Sequence, residues 1–151
     1  MNKDDKYYMN YALEEANKAL LEGEVPIGAV LVDDKGGIVV CAHNLREQLH
    51  DATAHAEVVA IREAGKKIGE WRLKNCTLYV TVEPCPMCAG AIVMARIRRI
   101  VYGIPDSKAG AVESLFNIPG HPGLNHNPEV RAGVLEDECK ALMQKFFAER
   151  R

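Results

Sequence analysis

No stretch of the 151 residues is apolar over the roughly 18 positions that a membrane-crossing helix needs. The start, Met1-Asn2-Lys3-Asp4-Asp5-Lys6, leads into an amphipathic segment and not into a signal-peptide core, so the chain reads as cytoplasmic. Charge of one sign is also lacking: 19 Lys and Arg against 21 Asp and Glu leave a formal net charge of -2. That excludes indiscriminate attraction to nucleic acid, and any RNA contact must come from a local patch. Candidate patches are Arg62, Lys66, Lys67, Arg72 and Lys74, then Arg96, Arg98 and Arg99, then Arg150 with Arg151; each also reads as a solvated face or helix C-terminal charge. Cysteines number five, an odd count, and two fall in one short motif. A disulfide framework is therefore excluded, and Cys41, Cys76 and Cys139 read as buried and reduced. Repeats, low-complexity tracts and linkers are absent too, so residues 1–151 read as a single domain long enough to bury a core.

What the sequence does contain is a concentrated set of metal ligands. Cys85 and Cys88 stand in Glu83-Pro84-Cys85-Pro86-Met87-Cys88, with His55-Ala56-Glu57 about thirty residues upstream. Two thiols, one imidazole and one carboxylate give three protein ligands plus a base, the composition of a catalytic zinc site; a structural site closes all four tetrahedral positions with side chains. Pro86 suits the first position of a helix, which puts Cys85 at its N-cap and Cys88 in its first turn, both beside unpaired N–H groups that favour thiolate. Asp51 and Thr53 are both reasonable N-caps for a second helix through 54–61, with His55 in its first turn. Residues two apart on a helix point roughly 200° apart, so His55 and Glu57 converge only on something capping the helix end. The spacing predicts two helix N-termini facing one zinc, with His55, Cys85 and Cys88 as ligands and Glu57 reaching the bound water. Glu57 then acts as proton shuttle: zinc-bound hydroxide attacks an electron-poor carbon, and Glu57 passes protons to the ring nitrogen and the leaving amine. The predicted reaction is hydrolytic deamination of a nucleobase. Ligand softness points to zinc, with iron as the substitute.

Periodicity predicts the α/β frame around these residues. A first helix spans 4–22 and stops at Gly23; strands 27–32 and 38–42 form a hairpin whose continuous apolar runs read as central and covered on both faces. Residues 76–82, 86–96 and 99–104 read as strand, helix and strand, a parallel crossover that puts the ligands at the strands' carboxyl ends. Gly90 reads as a point of close helix approach, and Trp71 and Leu73 as core. A short fifth strand over 129–134 and a last helix over 135–149, burying Leu135, Cys139, Leu142, Met143 and Phe146, complete the pattern. The loops at 105–110 and 119–128 are candidates for substrate contact.

His-Ala-Glu followed by Pro-Cys-x-x-Cys is the established signature of zinc-dependent deaminases, and the chain resembles the cytidine deaminase-like superfamily. It is similar over most of its length to one branch, the bacterial tRNA adenosine deaminases, which convert the wobble adenosine of an anticodon to inosine. The likeness is carried by Glu24-Val25-Pro26-Ile27-Gly28-Ala29-Val30, His43-Asn44, residues 51–57 and 78–92, Tyr102-Gly103, residues 106–111, Leu124-Asn125-His126, Asp137-Glu138-Cys139 and Phe146-Phe147. The resemblance implies a three-layer αβα sandwich with a mixed five-stranded sheet and one Zn2+ per subunit. It implies a homodimer whose subunits both touch the tRNA anticodon arm, with no DNA partner. By the same resemblance Asn44 hydrogen-bonds the flipped adenosine, Asp106 contacts the adjacent backbone or sugar, and Ile27 and Val82 wall the base. The last helix approaches the anticodon arm, with Phe146 or Phe147 meeting a base; core packing is the competing reading of both. Ala52 departs from the family, which commonly has proline there, with little chemical consequence expected.

Other readings compete on the residues alone. A free-base guanine or cytosine deaminase needs the same zinc motif, and a non-catalytic RNA-binding subunit needs the zinc but not Glu57. A closed structural zinc requires a fourth ligand from His43, His50 or Cys76, none at motif spacing; a redox Cys-x-x-Cys leaves His55 and Glu57 unexplained. His121 and His126, among prolines and glycines, are not expected to be ligands.

Overall fold

The computed structural model describes residues 3–150; Met1 and Asn2 of the charged start and Arg151 of the basic end lie outside them. Asp4 opens the first helix, α1 (Asp5–Leu21), by accepting the Tyr7 N–H at 2.9 Å, and Gly23 at φ 81° turns the chain away after it. β1 (Gly28–Val32) and β2 (Ile38–His43) form the expected antiparallel hairpin. Then come α2 (Ala56–Ile68), β3 (Thr77–Val82), α3 (Pro86–Met94), β4 (Arg99–Ile104), β5 (Glu129–Arg131) and α4 (Glu136–Glu149).

The strands form one mixed sheet in the order β2-β1-β3-β4-β5, in which β1 runs against β2 and β3, while β3, β4 and β5 are parallel. Side chains alternate across it. Ala29, Leu31, Leu78, Val80, Ile100 and Tyr102 pack with Ala56, Ala60 and Ile92 of α2 and α3; Val30, Val32, Tyr79 and Val101 pack with Tyr8, Met9 and Cys139 of α1 and α4. The result is the three-layer αβα sandwich. Because β1 is antiparallel to both neighbours, its start lies beside their ends: Gly28 pairs with His43, and the Gly28 N–H donates to Thr81 Oγ1 at 3.2 Å. Parallel β3 and β4 end on that same side. One edge of the sheet thus collects Ile27, Asn44, Val82, the 83–88 turn and Asp106.

A second set of bonds ties the helical layer to the sheet. The Asp5 carboxylate accepts from Tyr79 Oη at 2.7 Å, from both Arg99 Nη atoms at 2.8 and 2.7 Å, and from Arg131 Nη1 at 2.6 Å, joining α1 to β3, β4 and β5. Arg99 does most to hold this carboxyl at about 2, against burial, which works the other way.

Several expectations need correction. β2 is an edge strand, not a central one, which leaves Ile38 and Cys41 exposed; no disulfide involves Cys41 or the other four cysteines. Trp71 is 56% exposed because it lies in the turn after α2, where the Arg72 guanidinium stacks on its ring at 4.2 Å, while Leu73 is buried as expected. Gly90 makes no close approach: a Cβ there would meet nothing, and it is Ala89 and Ile92 that face inward. α4 buries only Cys139 and Phe146, the stripe that meets β4 and α1; a Cβ at Gly103 would collide with Cys139 Sγ.

Candidate metal centre and substrate cleft

Two helix N-termini meet at the candidate metal ligands. His55 is the N-cap of α2 and Cys85 the N-cap of α3, with Pro86 in its first turn. His55 therefore sits one step earlier than the sequence predicts, since Asp51 closes a turn of its own by accepting the Thr53 N–H and hydroxyl at 2.8 and 2.7 Å. His55 makes no side-chain cap bond to its own helix, and both helix N-termini present their positive ends to the cluster.

His55 Nδ1 lies 3.6 Å from Cys85 Sγ and 3.5 Å from Cys88 Sγ, and the three ligand atoms lie within 4.8 Å of one another. Tetrahedral zinc, with Zn–S about 2.3 Å and Zn–N about 2.0–2.1 Å, separates sulfur and nitrogen by about 3.6 Å. The donor triangle thus has the size and the chemistry for zinc. Among the described residues no fourth His, Cys, Asp or Glu joins it. His43 instead sits between Glu15 and Glu22, its ring nitrogens 2.8 and 2.9 Å from their carboxylates, and Cys76 precedes β3 at the opposite end of the sheet. His126 Nε2 faces the Ile97 carbonyl at 2.6 Å and His121 Nδ1 accepts the Gly123 N–H, so both hold loops.

Electrostatics follow from the contacts. A hydrogen bond from Cys88 brings the Cys85 thiol down to about 4, against burial, with His55 and the Cys88 N–H helping. Cys88 is pushed up by that same bond, by burial and by the Glu57 charge. Its proton is the one a metal displaces. Cys85 also raises the His55 ring, which burial opposes. Glu57, only 3% exposed, is raised to about 7, chiefly by burial and then by the Cys85 thiolate. It lies in the first turn of α2 beside Cys88, a carboxyl held close to neutrality next to the candidate ligand cluster.

Two cavities share Val25 and Ile27 as a wall, and the smaller reaches His55. One, of about 70 Å³, is lined by Asn44, Arg46, His55 and Ala56; the other, of about 390 Å³, by Val82, Ile104, Asp106, Met143 and Phe147 among others. Asn44 shares the smaller cavity with His55, Val82 and Asp106 line the larger one, and Ile27 lines both, although Ile27 is 17 positions from Asn44 and 79 from Asp106. Asn44 is held by its own backbone surroundings, Oδ1 accepting the Arg46 N–H at 3.0 Å and Nδ2 donating to the Val25 carbonyl at 3.4 Å. Buried Glu24 fixes the loop that follows, accepting the Glu47 and Gln48 N–H groups at 2.9 Å each. Asp106 Oδ1 accepts the Lys108 and Ala109 N–H groups, so turn chemistry and a place on the cleft coexist in one residue.

The aromatic pair at the end divides: Phe146 is buried, and Phe147 is 56% exposed on the larger cleft. Arg46, Val25 and Met143 are lining residues that sequence reasoning does not single out as such; Val25 stood inside the family-like run, and Met143 carries only a core-like signal. Glu83 is likewise unassigned by sequence. Burial alone would raise its carboxyl, but the Glu113 N–H, the Ser114 hydroxyl and the Asp106 and Ser114 N–H groups bring it below the ordinary carboxylate value.

Comparison with known proteins agrees with this geometry. The family model of the cytidine and deoxycytidylate deaminase zinc-binding region matches residues 2–104. A tRNA-specific adenosine deaminase of Bacillus subtilis is 51% identical over 147 residues, 97% of this chain and 91% of that protein. One from Haemophilus influenzae is 50% identical over 97% of this chain and 85% of its own length. Among solved structures, a tRNA:A34 deaminase from a study of A-to-I editing at the wobble position superposes with a TM-score of 0.87 at 47% identity, covering 90% of this chain and 98% of that one. A guanine deaminase from Nitrosomonas europaea shares the fold more distantly, with a TM-score of 0.80 at 26% identity, covering 95% of this chain and 84% of that one. The chain belongs to the zinc-binding cytidine and deoxycytidylate deaminase family and, within it, to the tRNA-specific adenosine deaminases.

Proposed function

We propose that this chain is a zinc-dependent hydrolase that converts adenosine to inosine at the wobble position of a tRNA anticodon. The observation that carries the chemistry is the His55, Cys85 and Cys88 triangle at zinc spacing with buried Glu57 beside it. His55 Nδ1 and the two sulfurs would hold the ion, which when bound supplies an acidified water and leaves one coordination position for it. Glu57 would take the two protons of the attacking water in turn, passing one to the purine ring nitrogen and the other to the departing amine, so that a C–O bond replaces the C–N bond and ammonia leaves. Its raised affinity for protons suits both directions of transfer near neutral pH. Asn44 would hold the flipped base by its amide, Ile27 and Val82 would press on the faces of the ring and exclude water, and Asp106 would meet the sugar or backbone beside it.

The likeness to wobble-position deaminases supports RNA over free bases. One deaminase domain carries all these groups, acting in the cytoplasm on the tRNA anticodon arm. Phe147 and Lys108, exposed on the larger cleft, offer a stacking face and a cation for the loop nucleotides. The exposed apolar side chains Ile68, Trp71, Met87 and Met94 on the α2–α3 side support a homodimer through that face.

The deciding experiment incubates zinc-loaded protein with an anticodon stem-loop carrying a wobble adenosine, and in parallel with free adenosine, guanine and cytosine. Inosine in the RNA alone is expected; rapid ammonia release from free guanine or cytosine without RNA activity would overturn the assignment.

A further inference from the structure

Glu83 is a carboxylate only 3% exposed that the proposed proton transfers do not use. Among the described residues it accepts five hydrogen bonds, all from one later segment. Oε1 takes the Asp106 N–H at 3.0 Å and the Ser114 hydroxyl; Oε2 takes three successive N–H groups, of Val112 at 3.0 Å, Glu113 at 2.8 Å and Ser114 at 2.9 Å. Successive N–H groups aimed at one oxygen form a backbone concavity that binds anions, and here the anion is the protein's own side chain. The wrap is close: a Cβ on Gly110 would collide with Glu83 Oε1 and with the Asp106 carbonyl, so only glycine lets the segment cross there. Two backbone bonds fasten the same pair of strands' ends, Glu83 N–H to the Ile104 carbonyl and Ala111 N–H to the Pro84 carbonyl, both 2.9 Å.

The two ends of this clamp are functionally different. Glu83 lies two residues before Cys85, a metal ligand of the proposed site, while the clamped segment begins at Asp106 on the cleft. Backbone N–H donors fix where the main chain runs whatever side chains it carries, so one carboxylate sets the separation between the metal-binding turn and the cleft wall. We propose that Glu83 is a positioning residue for substrate recognition, which places Asp106 against the RNA without acting on the metal group. This rests on the proposed deamination of RNA.

Glu83→Gln separates the possibilities. With its amide oxygen kept toward the three N–H groups of 112–114, the Asp106 N–H is left without an acceptor, since the Ser114 hydroxyl can turn to accept instead. The expected result is zinc retained at one per chain, kcat within about twofold, and KM for the stem-loop raised roughly tenfold, equivalent to about 1.4 kcal/mol. Combining it with Asp106→Ala should give the KM of Asp106→Ala alone, as groups acting in series do. Amide hydrogen exchange of the free protein should quicken at Asp106 and 112–114 and stay unchanged at 85–88. Loss of zinc, an unchanged KM, or full additivity with Asp106→Ala would overturn the proposal. Unchanged exchange at Asp106 would do so whichever substrate the enzyme takes, and a wild-type protein inactive on RNA would count against the reaction and not against the clamp. Should Glu83→Gln fail to fold, Ser114→Ala removes one donor of the five and must still raise KM and exchange in the same segment, or the proposal falls.

Discussion

Replacing Glu57 by glutamine removes a proton acceptor while keeping a side chain of the same size in a site that is 3% exposed. Burial raises this carboxyl to about 7 in the metal-free site, which favours its taking a proton and giving it back. A base so matched to the working pH contributes about 10²–10⁴ in rate, or about 2.7–5.5 kcal/mol of barrier. An amide keeps none of that. Stability should hardly suffer, because a carboxylate stabilised poorly by its surroundings is exchanged for a neutral group of similar shape. Metal content should not suffer either, since the ligand triangle is His55 Nδ1 with two sulfurs and does not include Glu57. The assay is single-turnover inosine formation at saturating stem-loop RNA, alongside zinc by elemental analysis and the thermal midpoint. A variant with full zinc, an unchanged midpoint and a rate down by at least about a hundredfold is expected. A Glu57→Gln protein that keeps zinc and deaminates at the wild-type rate would refute the proton-transfer role outright.

Zinc uptake by metal-free protein should release protons, because the Cys88 thiol, held in its protonated form by Cys85, must ionise to bind; an indicator dye in weak buffer follows this, and Cys88→Ser should abolish both uptake and release. Asp5→Asn should matter less in acid than at neutral pH. The folded-state carboxyl lies at about 2, below its ordinary 3.8, so its contribution is complete above about pH 4 and disappears as pH falls through about 2. The full shift corresponds to about 2.4 kcal/mol, which screening at the 55% exposed Arg131 reduces to roughly 1 kcal/mol; the difference in urea midpoint between wild type and Asp5→Asn should close between pH 5 and pH 2. Met94→Lys places a charge on a side chain 68% exposed in the apolar α2–α3 face, and sedimentation should change from twice the 16.7 kDa chain mass to once that mass while the zinc content stays the same.

The candidate metal cluster was legible in the sequence because metal ligation demands particular residue types at short spacing. Cys85 and Cys88 share one helical turn, and Pro86 announces where that helix begins, so ligand identity and helix orientation come from the same six residues. The cleft's location was legible for a topological reason: a strand-helix-strand crossover from β3 to β4 is parallel, and the loops at its carboxyl edge must lie together. Neither inference needs distant contacts.

Glu83 and Asp5 show what escapes such reading. The partners of Glu83 lie 23 to 31 positions away, and four of its five donors are backbone N–H groups that every residue there but proline would supply, so no pattern of residue types marks them. Asp5 meets Arg99 and Arg131 across 94 and 126 positions, and in sequence it is indistinguishable from the first-turn acid that any helix favours. Exposure fails for a related reason. Cys41 sits in an apolar run and Trp71, between Glu70 and Arg72, leads into one, but whether a strand is central or at the edge, and whether a turn is covered, is decided by the order in which distant strands pair and by what packs over them. The same logic makes Met94 and Trp71 a sharp test of assembly: apolar side chains left uncovered by one copy of the fold are where a second copy has most to gain, at about 25 cal/mol for each Å² removed from water. On the proposed dimer a single charge there should separate the subunits before it disturbs the candidate metal site; a wild-type chain that sediments at 16.7 kDa would refute the dimer, and a Met94→Lys chain that still sediments as a dimer would refute this face as its interface.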